Sequence, residues 1–316
     1  MKIAVIGGGK WGKNIIRTLY QLGVLAAVAD SSEAVCNEIK ASYPEIHVVS
    51  DYQTVLNSNI TAVVIATPVP SHYQIAKKSL AAGKDVFIEK PMTLSKAEAE
   101  ELVILSEQAK KILMVGHLLL YQPAVQWIKE RLDAGLLGEV SGIHLERLGL
   151  GRARETENVL WDLGVHDLAV ISYLTGMNPR VSQIIGQSRL RPNIEDDIYL
   201  HLIINDHLQA HLHISWLWPK KHRQLTITGT KGMLVYNELE QTVTLYHNGI
   251  NKLDLSIWDH GAELVYKGDG TPLVREMEHF ITCVKERKPP ISDGPSGMAV
   301  IKLLEEASQR LKKSAP

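Results

Sequence analysis

The segment that most constrains the fold is Gly7-Gly8-Gly9-Lys10-Trp11-Gly12, which satisfies G-x-G-x-x-G through Gly7, Gly9 and Gly12. It lies directly after the apolar run Ile3-Ala4-Val5-Ile6 and before Lys13 to Gln21, a stretch with helical patterning. A helix that begins at such a loop points unpaired backbone N–H groups and the positive end of its dipole at a phosphate, and the glycines let the backbone approach closely. A glycine turn that merely packs a helix onto a strand has the same string, so the context decides. Asp30 closes the next apolar run about 18 residues beyond Gly12, where an acidic side chain accepts hydrogen bonds from ribose hydroxyls. A carboxylate there repels a 2′-phosphate, and no arginine follows in Ser31-Ser32-Glu33, so the pattern favours NAD over NADP. The structural alternative for Asp30 is a helix N-cap, a role Ser31 or Ser32 can fill equally well.

Short Val-, Ile- and Ala-rich runs continue as far as Leu120: Leu25–Ala29, Ala62–Ala66, Val86–Ile88 and Ile112–Val115, separated by longer helix-like stretches. This alternation yields parallel strands joined by crossover helices, buried on both faces. After the helix-like stretch Ala124 to Leu132, and Gly135 and Gly138, the pattern changes. In Leu208 to Trp218 the set Ala210, Leu212, Ile214 and Trp216 alternates with Gln209, His211, His213 and Ser215. That period marks a sheet with one packed and one polar face. Similar alternation runs through Gln224–Thr228, Met233–Asn237 and Gln241–His247, with a turn at Gly229-Thr230-Lys231-Gly232, and helical patterning returns at Leu273–Glu286 and Ser296–Lys312. The expectation is an α/β chain: a doubly wound parallel sheet in residues 1–120, then a second α/β domain in 121–316 with a mostly antiparallel sheet.

A length of 316 residues suits two domains,. With 34 basic and 35 acidic residues the formal charge is -1, which gives no broad field to recruit nucleic acid or an anionic membrane. No apolar stretch approaches the roughly 18 residues that span a bilayer. The only cysteines, Cys36 and Cys283, are far apart without metal-ligand spacing, the usage of a reducing compartment. The expectation is a cytoplasmic protein.

Two clusters carry chemistry. Ala66-Thr67-Pro68 and Glu89-Lys90-Pro91 follow strands, at the edge where parallel sheets bind ligands,. Lys90 there can donate to a substrate hydroxyl or developing alkoxide; a solvated surface lysine is the alternative. In Trp161-Asp162-Leu163-Gly164-Val165-His166-Asp167, a helical backbone sets Asp162 and His166 four apart on one face. An aspartate beside a histidine fixes its tautomer, as a general base requires; a helix start with a capping aspartate is the alternative. His211 and His213 share a strand face, but no third ligand is evident among the 13 histidines, so no metal is expected.

These residues resemble the glucose-fructose oxidoreductase, inositol dehydrogenase and MocA family of NAD(P)-dependent dehydrogenases over nearly the whole chain. The resemblance rests on Gly7-x-Gly9-x-Trp11-Gly12-x-Asn14, on Ala66-Thr67-Pro68 with His72, on Gly83-Lys84 with Glu89-Lys90-Pro91, and on Asp162-x-Gly164-x-His166. It implies a Rossmann domain and a domain with a large, mostly antiparallel sheet carrying the substrate site and often an oligomer interface, here of a homodimer or homotetramer. It further implies Lys90 and His166 near the reacting carbon, Asp162 on a substrate hydroxyl or the base, and NAD held by Gly7, Gly9, Lys10, Trp11, Gly12, Asp30, Ser31, Thr67, Pro68, His72, Glu89, Lys90 and Pro91.

Many polyol-oxidising members have an aspartate three residues after the histidine, whereas Asp167 follows His166 immediately. That departure, with Glu157 to Trp161, Val115-Gly116-His117 and Tyr121-Gln122-Pro123-Ala124, is similar to the nucleotide-sugar branch. The branch oxidises the C3 hydroxyl of a UDP-linked amino sugar to a ketone for a pathway aminotransferase. Tyr121, Arg152, Arg154, Asn158 and Trp161 join Lys90, Asp162 and His166 as expected substrate contacts. A polyol or free-sugar dehydrogenase and a non-catalytic NAD sensor are the alternatives.

Overall fold

The computed structural model describes residues 1–151, 153–268 and 271–314. Contacts divide the chain into two compact units, Met1–Leu118 with Thr271–Lys302, and Leu119–Gly270 with Leu303–Pro316. The chain runs β1 (Ile3–Ile6), α1 (Gly12–Gln21), β2 (Leu25–Ala29), α2 (Glu33–Ser42), β3 (His47–Val49), α3 (Tyr52–Leu56), β4 (Ala62–Ile65), α4 (His72–Ala81), β5 (Asp85–Glu89), α5 (Lys96–Ala109) and β6 (Leu113–Gly116). It continues through α6 (Pro123–Asp133), β7 (Val140–Leu148), α7 (Val165–Thr175), β8 (Arg180–Gln187), β9 (Asp197–Ile203), β10 (Gln209–Ser215), β11 (His222–Gly229), β12 (Gly232–Asn237), β13 (Thr242–Ile250), β14 (Ile257–Lys267), α8 (Pro272–Glu286) and α9 (Gly294–Ser314).

In the first unit the sheet order is β3-β2-β1-β4-β5-β6, with every pairing parallel. β1 and β4 are buried at every position, as continuous apolar strands under helices on both faces should be. The strand order reverses between β1 and β4, the switch point at which such sheets open a ligand crevice. β3 is an addition to the five strands expected from sequence. It has three residues and His47 is exposed, too short a run for periodicity to reveal.

Sequence pattern places everything beyond residue 120 in the second domain, whereas Thr271–Lys302 groups with the first. The cause lies in the packing. Phe280 of α8 meets Phe87 of β5 edge-on at 5.7 Å, Arg287 Nη1 donates to both Asp85 oxygens at 2.9 Å, and Val115 N of β6 donates to Ser292 O. A late helix thus completes the apolar cover of early strands.

In the second unit the order is β14-β13-β12-β11-β7-β10-β9-β8, and only β7 with β10 is parallel. Ala210, Leu212, Ile214 and Trp216 are all buried, the face that their alternation marks. A single π-helical turn, Leu160–Gly164, leads into α7. A side chain at Gly164 would stand 2.7 Å from Ile214 Cδ1, so the glycine lets this turn press onto β10.

Candidate active site

The glycine loop shows which of its glycines the protein itself demands. Gly7 has φ 103° and an added Cβ would lie 2.7 Å from the Ala66 backbone, while at Gly12 it would lie 2.0 Å from Gly7 O. The loop after β1 and the loop after β4 therefore touch backbone to backbone at the switch point. At Gly9 a Cβ would meet nothing within 4 Å, so its lack of a side chain leaves open space beside the start of α1. That helix has no side-chain cap and no acidic residue in its first turn. Lys13 N and Asn14 N already donate to Gly9 O and Trp11 O, so what the helix offers a pyrophosphate is the positive end of its dipole, unopposed by an acidic side chain,.

Asp30 fastens this loop. Its Oδ2 accepts from Gly8 N at 2.7 Å and its Oδ1 from Ser32 N at 2.8 Å, two of about four acceptor positions a carboxylate offers. The helix-capping role falls to Ser32, whose Oγ accepts from Val35 N, and Ser31 and Lys10 are exposed.

At the C-terminal edge of β4 and β5, His72 is buried and spans two loops. Its Nδ1 lies 3.0 Å from Pro91 O and its Nε2 2.8 Å from Thr67 O, and burial holds it below the usual imidazole range. Both ring nitrogens face backbone carbonyls, so His72 ties the loop of Thr67 and Pro68 to that of Pro91. The Lys90-Pro91 peptide is cis. Glu89 Oε1 accepts from Trp11 Nε1 at 2.6 Å and Oε2 from Lys90 N at 3.3 Å, which joins the glycine loop to the lysine loop. Desolvation pushes Glu89 up to about 7, against the pull of Trp11 and of the Lys90 charge. Burial, and then the Lys90 charge, bring His117 down to about 4.

The second unit carries the other cluster. Asp162 Oδ1 accepts from Arg154 Nη2 at 2.9 Å and Nε at 3.2 Å, and Oδ2 accepts from Trp216 Nε1 at 3.1 Å. The Asp162 hydrogen bond raises the Arg154 guanidinium above its ordinary range. The stretch is not the uniform α-helix that the four-residue spacing assumed: Asp162 lies in the π-helical turn and His166 in α7. Inserted turns of this kind occur often at functional sites.

Other residues expected at the substrate are buried or hydrogen-bonded within the protein. Tyr121 is fully buried. Asn158 donates to Glu195 at 2.6 Å and accepts from Trp161 N, and Trp161 Nε1 donates to Ser308 at 2.9 Å. Arg152 lies outside the described residues. Asp167, read from sequence as a mark of substrate class, is 1% exposed and accepts from Arg147 Nε at 2.7 Å. Glu238 takes the other guanidinium nitrogens of Arg147 at 3.3 and 2.9 Å. Burial opposes the Arg147 charge, but these two carboxylates hold it well above the usual range. Asp167 therefore belongs to a buried ion cluster, its carboxylate held by Arg147 of β7.

Three residues in these surroundings are not marked as site residues by sequence pattern. Alternation places Trp216 only on a packed strand face, yet its indole holds Asp162. His117 is 3% exposed, and neither ring nitrogen has a hydrogen-bond partner among the described residues. Glu276 is 1% exposed on α8, and its signal was legible: an acid one helical turn before Phe280, on the apolar face of an otherwise amphipathic helix. His211 pairs with His201, their Nδ1 atoms 2.5 Å apart, and stacks on His144. Among the described residues no group of three or more His, Cys, Asp or Glu is arranged to hold a metal ion, and no helix is long and apolar enough to cross a membrane.

Comparison with known proteins agrees with this architecture. A profile described as "Oxidoreductase family, NAD-binding Rossmann fold" matches residues 1–117, and one described as "GFO/IDH/MocA C-terminal domain" matches residues 125–235. The UDP-N-acetylglucosamine 3-dehydrogenase of Acidithiobacillus ferrooxidans is 26% identical over 309 residues, 95% of this chain and 94% of its own. A solved structure of that enzyme superposes with a TM-score of 0.87 at 25% identity, covering 99% of each chain. The scyllo-inositol 2-dehydrogenase (NAD(+)) of Bacillus subtilis is 27% identical over 258 residues, 76% of this chain and 72% of its own. The protein belongs to the GFO/IDH/MocA family of oxidoreductases, and its first unit is an NAD-binding Rossmann domain.

Proposed function

We propose that this protein oxidises the C3 hydroxyl of a UDP-linked amino sugar, UDP-N-acetylglucosamine, to the 3-keto sugar with NAD+ as acceptor. The observation that carries the reading is the position of Lys90. It follows β5 at the ligand-binding edge of the parallel sheet, on a loop joined to the glycine loop by the Trp11–Glu89 hydrogen bond. Similarity across 95% of the chain to a UDP-N-acetylglucosamine 3-dehydrogenase supports the choice of substrate.

NAD+, when bound, supplies the hydride acceptor. Gly9, Gly12 and the positive end of the α1 dipole would hold its pyrophosphate, and Asp30 would take the ribose hydroxyls and disfavour a 2′-phosphate. As the C3–H bond breaks with its electron pair leaving as hydride, the O–H proton passes to His166. Lys90 donates to the oxygen on which negative charge grows, an effect of several kcal/mol in a closed site. Arg154, partly exposed and braced on Asp162, offers a guanidinium to the sugar or its diphosphate. In this reading the enzyme works in the cytoplasm as a homodimer or homotetramer joined through the second unit's sheet, and its product is a ketone suited to an aminotransferase.

The test is NADH absorbance on mixing protein, NAD+ and UDP-N-acetylglucosamine, with a coupled aminotransferase to draw off the ketone. Lys90→Met should lower turnover at least about 100-fold while NAD+ binding stays nearly intact, and wild-type turnover by that variant sinks the assignment. The inositol-oxidising relative favours a second reading, a polyol dehydrogenase. NADH formation with inositol or glucose, and none with the nucleotide sugar, decides for it. Binding of NAD+ with no reduction by any sugar decides for a sensor.

A further inference from the structure

We propose that Glu276, through Glu89, is a positioning residue for Lys90: the two carboxyls form a buried pair that carries a single negative charge against the lysine ammonium. The inference deepens the proposed function and rests on its assignment of Lys90.

Register brings the two acids together. Phe87 and Glu89 are two apart on β5 and share a face, and Glu276 and Phe280 are four apart on α8 and share a face. The contact of Phe87 with Phe280 therefore sets Glu89 opposite Glu276 one step along. Their donors are unequal. Glu89 has the Trp11 indole and the Lys90 backbone N–H, whereas Oε1 of Glu276 is buried with no hydrogen-bond partner among the described residues. The Glu89 carboxyl also lies against β6, since a Cβ at Gly116 would be 3.0 Å from its Oε2.

Two carboxyls in one desolvated site cannot both ionise near neutrality. Burial, and then the Glu89 charge, hold the Glu276 carboxyl well above the usual range, so Glu89 ionises first and Glu276 keeps its proton. Lys90 is the charged group that acts on Glu89 beside the pair, and His117, which also feels Lys90, is left neutral by burial. Above about pH 7 the Glu89 carboxylate stands against Lys90 and favours its ammonium form; below it the pair is neutral and that hold is lost.

Trp11 gives a readout that needs neither substrate nor cofactor, because its indole N–H donates to Glu89. Tryptophan emission is titrated from about pH 5 to about pH 9 in wild type, Glu276→Gln, Glu276→Met and Glu89→Gln, with Trp11→Phe to isolate this indole among the six. Wild type should show a midpoint near 7, absent in Glu89→Gln and Trp11→Phe. Glu276→Gln should keep that midpoint, since the amide stands in for the neutral acid. Glu276→Met should raise it by at least about half a pH unit by replacing a polar neighbour of Glu89 with an apolar one. A Met variant that superimposes on wild type overturns the proposal, as does a Gln variant whose midpoint falls by the same amount, which would mean that Glu276 was ionised. The acid limb of kcat/KM should follow the same order. Fluorescence midpoints that behave as stated, with no matching kinetic limb, uphold the pair and refute the catalytic reading of Lys90.

Discussion

Replacing Asp167 with asparagine tests whether the residue beside His166 serves the core or the substrate. The Asp167 and Arg147 side chains are 1% and 9% exposed, and their contact is 2.7 Å. Asparagine keeps an oxygen for Arg147 Nε but loses the charge. It also turns an amide toward the position of Oδ2, which has no hydrogen-bond partner among the described residues. Removing one partner of a buried ion pair costs about 3–5 kcal/mol, and Glu238, which still binds Arg147 through two nitrogens, places the loss near the lower end, about 3 kcal/mol. At roughly 2–4 °C per kcal/mol for units of this size, the melting transition should fall by about 6–12 °C. Near-UV circular dichroism follows the transition directly. A melting temperature within about 2 °C of wild type refutes the cluster as a structural element. So does a raised KM for the sugar, with melting unchanged, at temperatures well below the transition.

The glycine loop separates two effects that the motif alone confounds. Gly12→Ala forces a Cβ to 2.0 Å from Gly7 O, so it should lower the melting temperature and abolish NAD+ binding by calorimetry. Gly9→Ala meets no atom beyond its chain neighbours within 4 Å and should leave melting unchanged while weakening NAD+ by about tenfold or more if the pyrophosphate lies there as proposed; undiminished affinity would count against that placement. Asp30→Ala frees Gly8 N and Ser32 N at a cost of about 2 kcal/mol. It should also raise the NADP+ to NAD+ ratio of kcat/KM, and a constant ratio removes Asp30 from cofactor choice.

Local features carried much of the first unit. The glycine spacing, the apolar runs of β1, β2, β4, β5 and β6, and Asp30 at the end of β2 are properties of consecutive residues, and the Rossmann order follows from them through short right-handed crossovers. The same holds for β10 to β13, where alternation shows in the chain itself. β7 and β9 alternate as clearly but were not singled out, and β3 and the exposed β14 carry too little apolar contrast to announce themselves.

The site was legible as residue types and less so as partnerships. Lys90 and the Asp162/His166 segment stand where strand ends and a helix start predict. Yet His72, Asn158 and Trp161 turn out to brace the protein, because each polar group found a partner close in space and distant in sequence. Asp167 shows the reason most plainly. One residue beyond His166 on α7 is about 100° of rotation, enough to aim the Asp167 carboxylate at Arg147 on β7 rather than along the direction of His166.

The order of the amino acids by itself determined a parallel nucleotide-binding sheet followed by an antiparallel one, the glycine loop, and a lysine and a histidine suited to hydroxyl oxidation, since each is written in local spacing. Only the tertiary structure decided that α8 returns to the first sheet, that Trp216 and Arg154 hold Asp162, that Asp167 is spent on the core, and that Glu276 comes to face Glu89. Burial and hydrogen-bond partnership belong to pairs of residues far apart along the chain, and no local pattern specifies them.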